Sequence, residues 1–224
     1  MKLVERHVIT KSHYLWSACY HKAFLSKNLF NLANYHYCQH FFSYQKKLNF
    51  NELYQNVSKS DDYQALPTKV SKQIIRRLDS AWSSYFSALR EWKKQPNKFL
   101  GKPKIPNYKH KTKCPNILPY PDESIYQKAL KKGIFHLSMS EIKIPTSQTE
   151  IIEARIIPKS SCYIIEIVYE KQEEITNNQQ VAGVDLGVNN LIAVTTNQTG
   201  NSPLLIKGRP LKAINTFYNK QRSC

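Results

Sequence analysis

Acids are what this chain is short of. Sixteen Asp and Glu stand against 33 Lys and Arg, a formal net charge of +17 over 224 residues. A surface so basic repels itself, and its usual counterpart is a polyanion: nucleic acid first, an anionic membrane surface second. Long apolar runs are also missing. No stretch approaches the roughly 18 residues of a membrane-crossing helix, and the opening MKLVERHVITKSHY lacks the compact apolar core of a secretory signal. Paired cysteines are missing too. Cys19, Cys38, Cys114, Cys162 and Cys224 lie far apart with no C-x-x-C, so neither a zinc site nor a disulfide framework is visible and a reduced, cytoplasmic setting is expected. His7, His13, His21, His36, His40, His110 and His136 read as structural or surface residues with no ligand constellation, and no internal repeat is evident. Against these absences, 41% apolar and 12% aromatic residues are enough to build a core.

Periodicity divides the chain into helical and extended parts. LVERHVIT (Leu3 to Thr10) reads as a first strand with Val4, His7 and Ile9 near a common face. From Trp16 to Lys47 there is neither Pro nor Gly, and apolar residues recur at three and four, which predicts a helix with a break near Asn28 or Asn34. A polar interruption, KSDDYQALP, precedes a second helix in which Leu66, Val70, Ile74, Leu78, Trp82, Phe86 and Leu89 fall on one stripe. Trp82 and Phe86 are core by that spacing, and Lys72, Arg76, Arg90 and Lys93 lie opposite. Pro67 suits the first turn, and Pro96 ends the helix near Gln95. Beyond KFLGKPKIPNYKHKTKCP the period changes to two. IFHLSMSEIKIP, TEIIEARIIP and CYIIEIVYE are β-rich runs, EKQEEITNNQQ is a linker, VAGVDLGVNNLIAVTTN holds two strands around a Gly/Asn turn, and SPLLIKGRP holds a third.

The basic excess is local. Residues 69–113 hold 13 Lys and Arg against two acids, Asp79 and Glu91. Tyr85, Trp92, Phe99, Tyr108 and His110 are interleaved with these charges. Cations displace counterions from phosphates and aromatic rings stack on unpaired bases, so this stretch is the candidate nucleic-acid interface. Its candidate contacts are Lys72, Arg76 and Arg77 on the helix and Lys102, Lys104, Tyr108, Lys109, Lys111 and Lys113 in the Lys-rich exit. DNA and RNA are not separable on charge.

Near the end of the sequence a single acid, Asp185, sits in the apolar, glycine-flanked run VAGVDLGVNN. A carboxylate buried in a core strand is costly unless relieved by a hydrogen-bonded turn, a cationic partner or a divalent cation. Two-metal nucleases use the last, since Mg²⁺ prefers carboxylate oxygens and bridges to phosphate. Such a site needs several converging carboxylates, and after Ile175 the chain offers only Asp185. Glu173 and Glu174 lie across the linker.

GVDLGVNNLIAVTTN, followed by LIKGRPLKAINTFYNK (Leu205 to Lys220), resembles the first catalytic segment of the TnpB (OrfB) family. Its members are RNA-guided DNA nucleases encoded by insertion sequences and long described as probable transposases. IIRRLDSAWSSYFSALR, GKPKIPNYK and the strand IIEIVYE resemble the same family upstream. The resemblance implies an α+β fold: a wedge-type β-barrel from residues 1–15 and 96–175, an inserted α-helical bundle for recognition at 16–95, and the first strands of an incomplete RuvC-like (RNase H-type) α/β nuclease domain at 176–224. It implies Asp185 as a catalytic and metal-binding acid, Mg²⁺ as the cofactor of intact members, and guide RNA and target DNA as partners, with no membrane.

Family members also carry a second-segment Glu, a third-segment Asp and a zinc ribbon, and this sequence shows none of them. The expectation is an N-terminal portion that binds nucleic acid, holds Mg²⁺ poorly and does not cut alone: a decayed element, a boundary fragment, or the first half of a split protein whose candidate partner is the missing C-terminal half in trans. The alternative is a catalytically dead RNA-guided DNA-binding protein acting as a repressor. In either case residues to about Glu170 should fold, while the strands from Val181 to Thr195 expose apolar surface and open edges.

Overall fold

In the computed structural model residues 1–110, 115–172 and 179–222 are described. The chain divides into two compact units, Met1–Gln172 and Glu173–Cys224. In the first, a four-stranded antiparallel sheet has the order β1-β6-β5-β2, formed by β1 (Lys2–Thr10), β2 (Leu118–Pro121), β5 (Ile151–Pro158) and β6 (Cys162–Glu170). β6 runs beside β1 from Lys2 opposite Glu170 to Thr10 opposite Cys162. Composition explains the order. β6 is rich in Ile and Val and lies inside, whereas β2 contains Pro119 and Pro121, which cannot donate to a ladder and therefore belong at an edge. β1 and β2, the two ends of the order, do not pair with each other. β3 (Ile134–His136) and β4 (Lys143–Pro145) form a separate hairpin, so the run read as one β-rich stretch is two strands around a turn.

Four helices belong with this sheet: α1 (Trp16–Tyr44), α2 (Phe50–Val57), α3 (Asp61–Gln64) and α4 (Thr68–Lys94). A one-turn α5 (Gln127–Leu130) precedes β3. α4 buries the expected stripe: Val70, Ile74, Leu78 and Trp82 are fully enclosed, and Phe86 packs against the same core. Trp82 stacks on Tyr37 of α1 with centroids 4.3 Å apart and planes at 11°. Truncating an enclosed aromatic of this size to Ala costs about 3–5 kcal/mol. α2 went unread in the sequence although its signal was there: Asn49 accepts from the Glu52 amide at 2.9 Å and Glu52 reaches back to the Asn49 amide at 3.4 Å, a capping box.

Two expectations are corrected. α1 is unbroken at Asn28 and Asn34, and it stops only where Gln45 turns into the left-handed region at φ 54°. Asn34 is fully buried with both ends of its amide engaged outside its own backbone, so it does not compete with the helix. On β1 the inward residues are Leu3, Glu5, His7 and Ile9, and Val4 points the other way, 44% exposed. Side chains on a strand alternate, so an even-numbered residue cannot share a face with His7 and Ile9. Glu5 takes that place, bonded to His7 at 2.6 Å and to the Thr146 hydroxyl at 3.0 Å.

The second unit is small. β7 (Ala182–Leu186), β8 (Asn190–Thr196) and β9 (Leu204–Lys207) form an antiparallel sheet in that order, and α6 (Arg209–Arg222) follows. Where β9 passes into α6, Gly208 is buried and a Cβ there would lie 2.4 Å from the Val188 carbonyl oxygen. Only glycine permits that approach. No helix among the described residues is long and apolar enough to cross a membrane.

Candidate nucleic-acid interface and lone carboxylate

After a 3-10 turn at Pro96–Lys98, residues 99–110 and 115–117 of the Lys- and Pro-rich segment form neither helix nor strand. Residues 102–110 and 115–117 lie antiparallel along α1, held by side chains of that helix. Asn34 Nδ2 donates to the Pro106 carbonyl at 3.1 Å. Asn31 donates to the Lys109 carbonyl at 2.9 Å, and its Oδ1 accepts from the Lys109 amide at 2.8 Å. Further along, Ser26 Oγ donates to the Ile117 carbonyl at 2.9 Å, and the Asn116 amide reaches the Ala23 carbonyl at 3.2 Å. The backbone groups of a helix interior are mostly taken up within the helix, so apart from the Ala23 carbonyl the pairing falls to these polar side chains. They are residues the sequence reading missed as anchors. The available signal was a set of Asn and Ser at 26, 31 and 34, close to one face of a predicted helix, with a Pro-rich partner unable to pair with itself.

This strap presents the predicted contacts. Lys102 and Lys104 are exposed and Lys109 is partly covered, its ammonium 5.2 Å from the Phe30 ring. The Tyr108 ring is half exposed while its hydroxyl is turned in against Cys38; burial and that neighbour push the phenol up to about 12. Burial raises the Cys38 thiol as well. Lys111 and Lys113 lie outside the described residues.

The α4 cations form a different patch. Lys72 lies 5.0 Å over the Tyr54 ring and Arg76 5.6 Å over Phe50, contacts that hold each cation while leaving one side to solvent. Arg77 is exposed beside them. Lys69, Lys72 and Arg76 line a groove of about 350 Å³ that also contains Asp122 and Glu123, and Lys69 pairs with Glu123 at 2.7 Å. This groove is mixed in charge. The strap is the more one-signed of the two.

His36 and His40 are four apart on α1, a helical pair spacing that the sequence reading passed over. Their rings are taken up by aromatic neighbours, His36 against Tyr35 at 5.6 Å and His40 against Tyr44 at 4.9 Å.

Asp185 occupies the middle of β7, opposite Ala193 on β8, which in turn faces Leu205 on β9. The expectation of a carboxylate enclosed in a core strand is corrected: β7 is an edge strand and Asp185 is exposed. Its neighbours explain the apolar run instead. Val184, Leu186, Ile192, Val194, Leu204 and Ile206 share the other face of the sheet by register, and Val184, Leu186, Leu204 and Ile206 are all largely open to solvent. Asp185 is the only acid among the described residues of this unit. No group of three or more His, Cys, Asp or Glu that could hold a metal occurs among the described residues. A two-Mg²⁺ site needs several bridging carboxylates, so the residues present do not fit one.

Comparison with known proteins places the second unit. Residues 165–223, from β6 through α6 and including Asp185, match the OrfB family model described as "Probable transposase". The likeness to the TnpB/OrfB family read from the sequence holds over this segment. No curated protein is a match. Among solved structures, a Cas12f1 protein in complex with sgRNA and target DNA aligns with 99% of this chain and 61% of its own, at 12% identity and a TM-score of 0.35. A likeness that distant carries no structural argument.

Proposed function

We propose that this chain is the nucleic-acid-binding portion of a TnpB/OrfB-type, RNA-guided DNA endonuclease, with guide RNA and target DNA as its partners. The observation that carries the reading is the family match over residues 165–223. The net charge of +17 and the strap of exposed cations support it independently. In this reading the sheet and hairpin of the first unit are wedge-like, α1 to α4 are the recognition helices, and β7 to β9 begin a RuvC-like domain. Asp185 is then one ligand of a Mg²⁺ site whose other acids come from outside the described residues, and no cleavage step is assigned to the chain alone. The lone carboxylate favours a second reading, guided DNA binding without cutting, as in a repressor.

The test is to express residues 1–224 together with their native flanking DNA, purify the protein and sequence the RNA retained at moderate salt. A discrete RNA with one defined end is the expected result. Heterogeneous RNA that is lost as salt rises would overturn guide binding. Mg²⁺- and Asp185-dependent cutting by the pure protein would overturn the division between binding and cleavage.

A further inference from the structure

We infer that the seam between α1 and the strap is a stacking site for unpaired bases, so that the first unit grips single-stranded nucleic acid there rather than the backbone of a duplex. The inference rests on the nucleic-acid reading above and specifies what that surface takes. Cations alone would serve either form, since both present phosphates. The aromatics separate them. Tyr35 on α1 is 50% exposed and Tyr108 on the strap is 51% exposed, so both turn ring surface to solvent. Tyr35 stands one helical turn after Asn31, the residue that brackets Lys109 next to Tyr108. His36 meets the Tyr35 ring edge at 5.6 Å and 75°.

The Tyr108 ring is held in place. The Tyr108 hydroxyl is turned in against buried Cys38, and the residue after it is fixed in both directions by Asn31. A ring anchored at its polar end with part of its surface in solvent, beside Lys109 and on the same strap as Lys104, offers what an unpaired base needs: a π-face and a nearby cation. Bases in a duplex are stacked on each other and cannot use it.

The test uses the full chain and two fluorescein-labelled probes, a 12-nucleotide oligo(U) and a 12-base-pair RNA duplex, titrated by anisotropy at several salt concentrations. Tyr35→Ala and Tyr108→Ala are expected to weaken oligo(U) binding by about 5- to 100-fold each, with duplex affinity and the salt slope unchanged. Tyr35→Phe, which keeps the ring, should bind like the parent. Lys104→Ala should lower affinity for both probes and flatten the slope by about one. Circular dichroism of each variant checks that the helices remain. Equal weakening of both probes by the Tyr variants, or no effect on oligo(U), overturns the inference. So does an altered sedimentation of the Tyr variants at unchanged affinity, which would make the patch a protein contact. If the parent binds neither probe, the nucleic-acid reading itself falls, a distinguishable result. Repeating the titration with oligo(dT) separates RNA from DNA.

Discussion

Asn34 is the residue whose replacement reports most directly on how the first unit is built. It is fully buried; its Oδ1 accepts from the Trp82 indole at 2.9 Å and its Nδ2 donates to the Pro106 carbonyl at 3.1 Å. Asn34→Leu keeps the branched heavy-atom skeleton, with slightly bulkier ends, and removes both bonds. The Trp82 N–H, itself fully enclosed, then has no partner, and a stranded buried polar group costs about 1–3 kcal/mol. The Pro106 carbonyl is only partly covered and recovers a bond to water if the strap lifts, so its share is smaller. The combined loss is about 2–4 kcal/mol, a large part of a domain stability of roughly 5–15 kcal/mol. Urea unfolding followed by circular dichroism measures it.

Trp82→Phe removes the donor, so in the double variant Asn34→Leu should cost less than in the parent by about 1–2 kcal/mol. Trypsin supplies the second readout. Cleavage after Lys104 and Lys109 should quicken in Asn34→Leu but not in Trp82→Phe, which leaves the bond to Pro106 intact. An Asn34→Leu protein within about 0.5 kcal/mol of the parent, or strictly additive single variants, would refute the reasoning.

Two further outcomes are expected. Burial raises the Tyr63, Tyr108 and Tyr163 phenols and the Cys19 thiol to about 12, and raises Tyr37 and Tyr120 further. These groups favour the protonated form in the folded state. Their contribution is therefore complete below the range where the unfolded chain ionises, at the ordinary values of 9.0 for a thiol and 10.0 for a phenol, and is lost as pH rises through about 12. The urea midpoint of the first unit should fall steadily above about pH 9.5, and a flat midpoint to pH 11.5 would contradict the burial described. Gly208→Ala puts a Cβ 2.4 Å from the Val188 carbonyl oxygen and 3.1 Å from Leu191 Cγ. Strain of about 1–3 kcal/mol should raise amide exchange across residues 187–212 at least tenfold by mass spectrometry, and unchanged exchange would refute the close approach.

How far the sequence foretold this depends on which force decides each element. The α4 stripe was legible because burial of one helix face follows a 3.6-residue period and nothing competes with it. β7, β8 and β9 were legible through short β-rich runs set off by Gly, Asn and Ser. Asn34 was misread as a break because its helix compatibility depends on Trp82 and Pro106, 48 and 72 residues away, and no local window contains them. Asp185 was misread as enclosed because an apolar run gives the composition of a strand and not the number of its faces that are covered. Its register beside Ala193 and Leu205 is a property of the sheet. The Lys residues of the strap were picked out by charge, but the side chains that place them bear no charge and gave no such signal.

Charge and placement are therefore separate properties of the strap. Among the described residues, the bonds that Ser26, Asn31 and Asn34 of α1 make to the strap end on its main chain or on Asn116, and Tyr108 adds a side-chain contact to Cys38. The lysines are free to change in number and identity without moving the path they decorate. A single-residue insertion between Pro106 and Lys109, neutral in charge, would do the opposite: it would put Asn31 and Asn34 out of step with their carbonyls and reroute every cation at once.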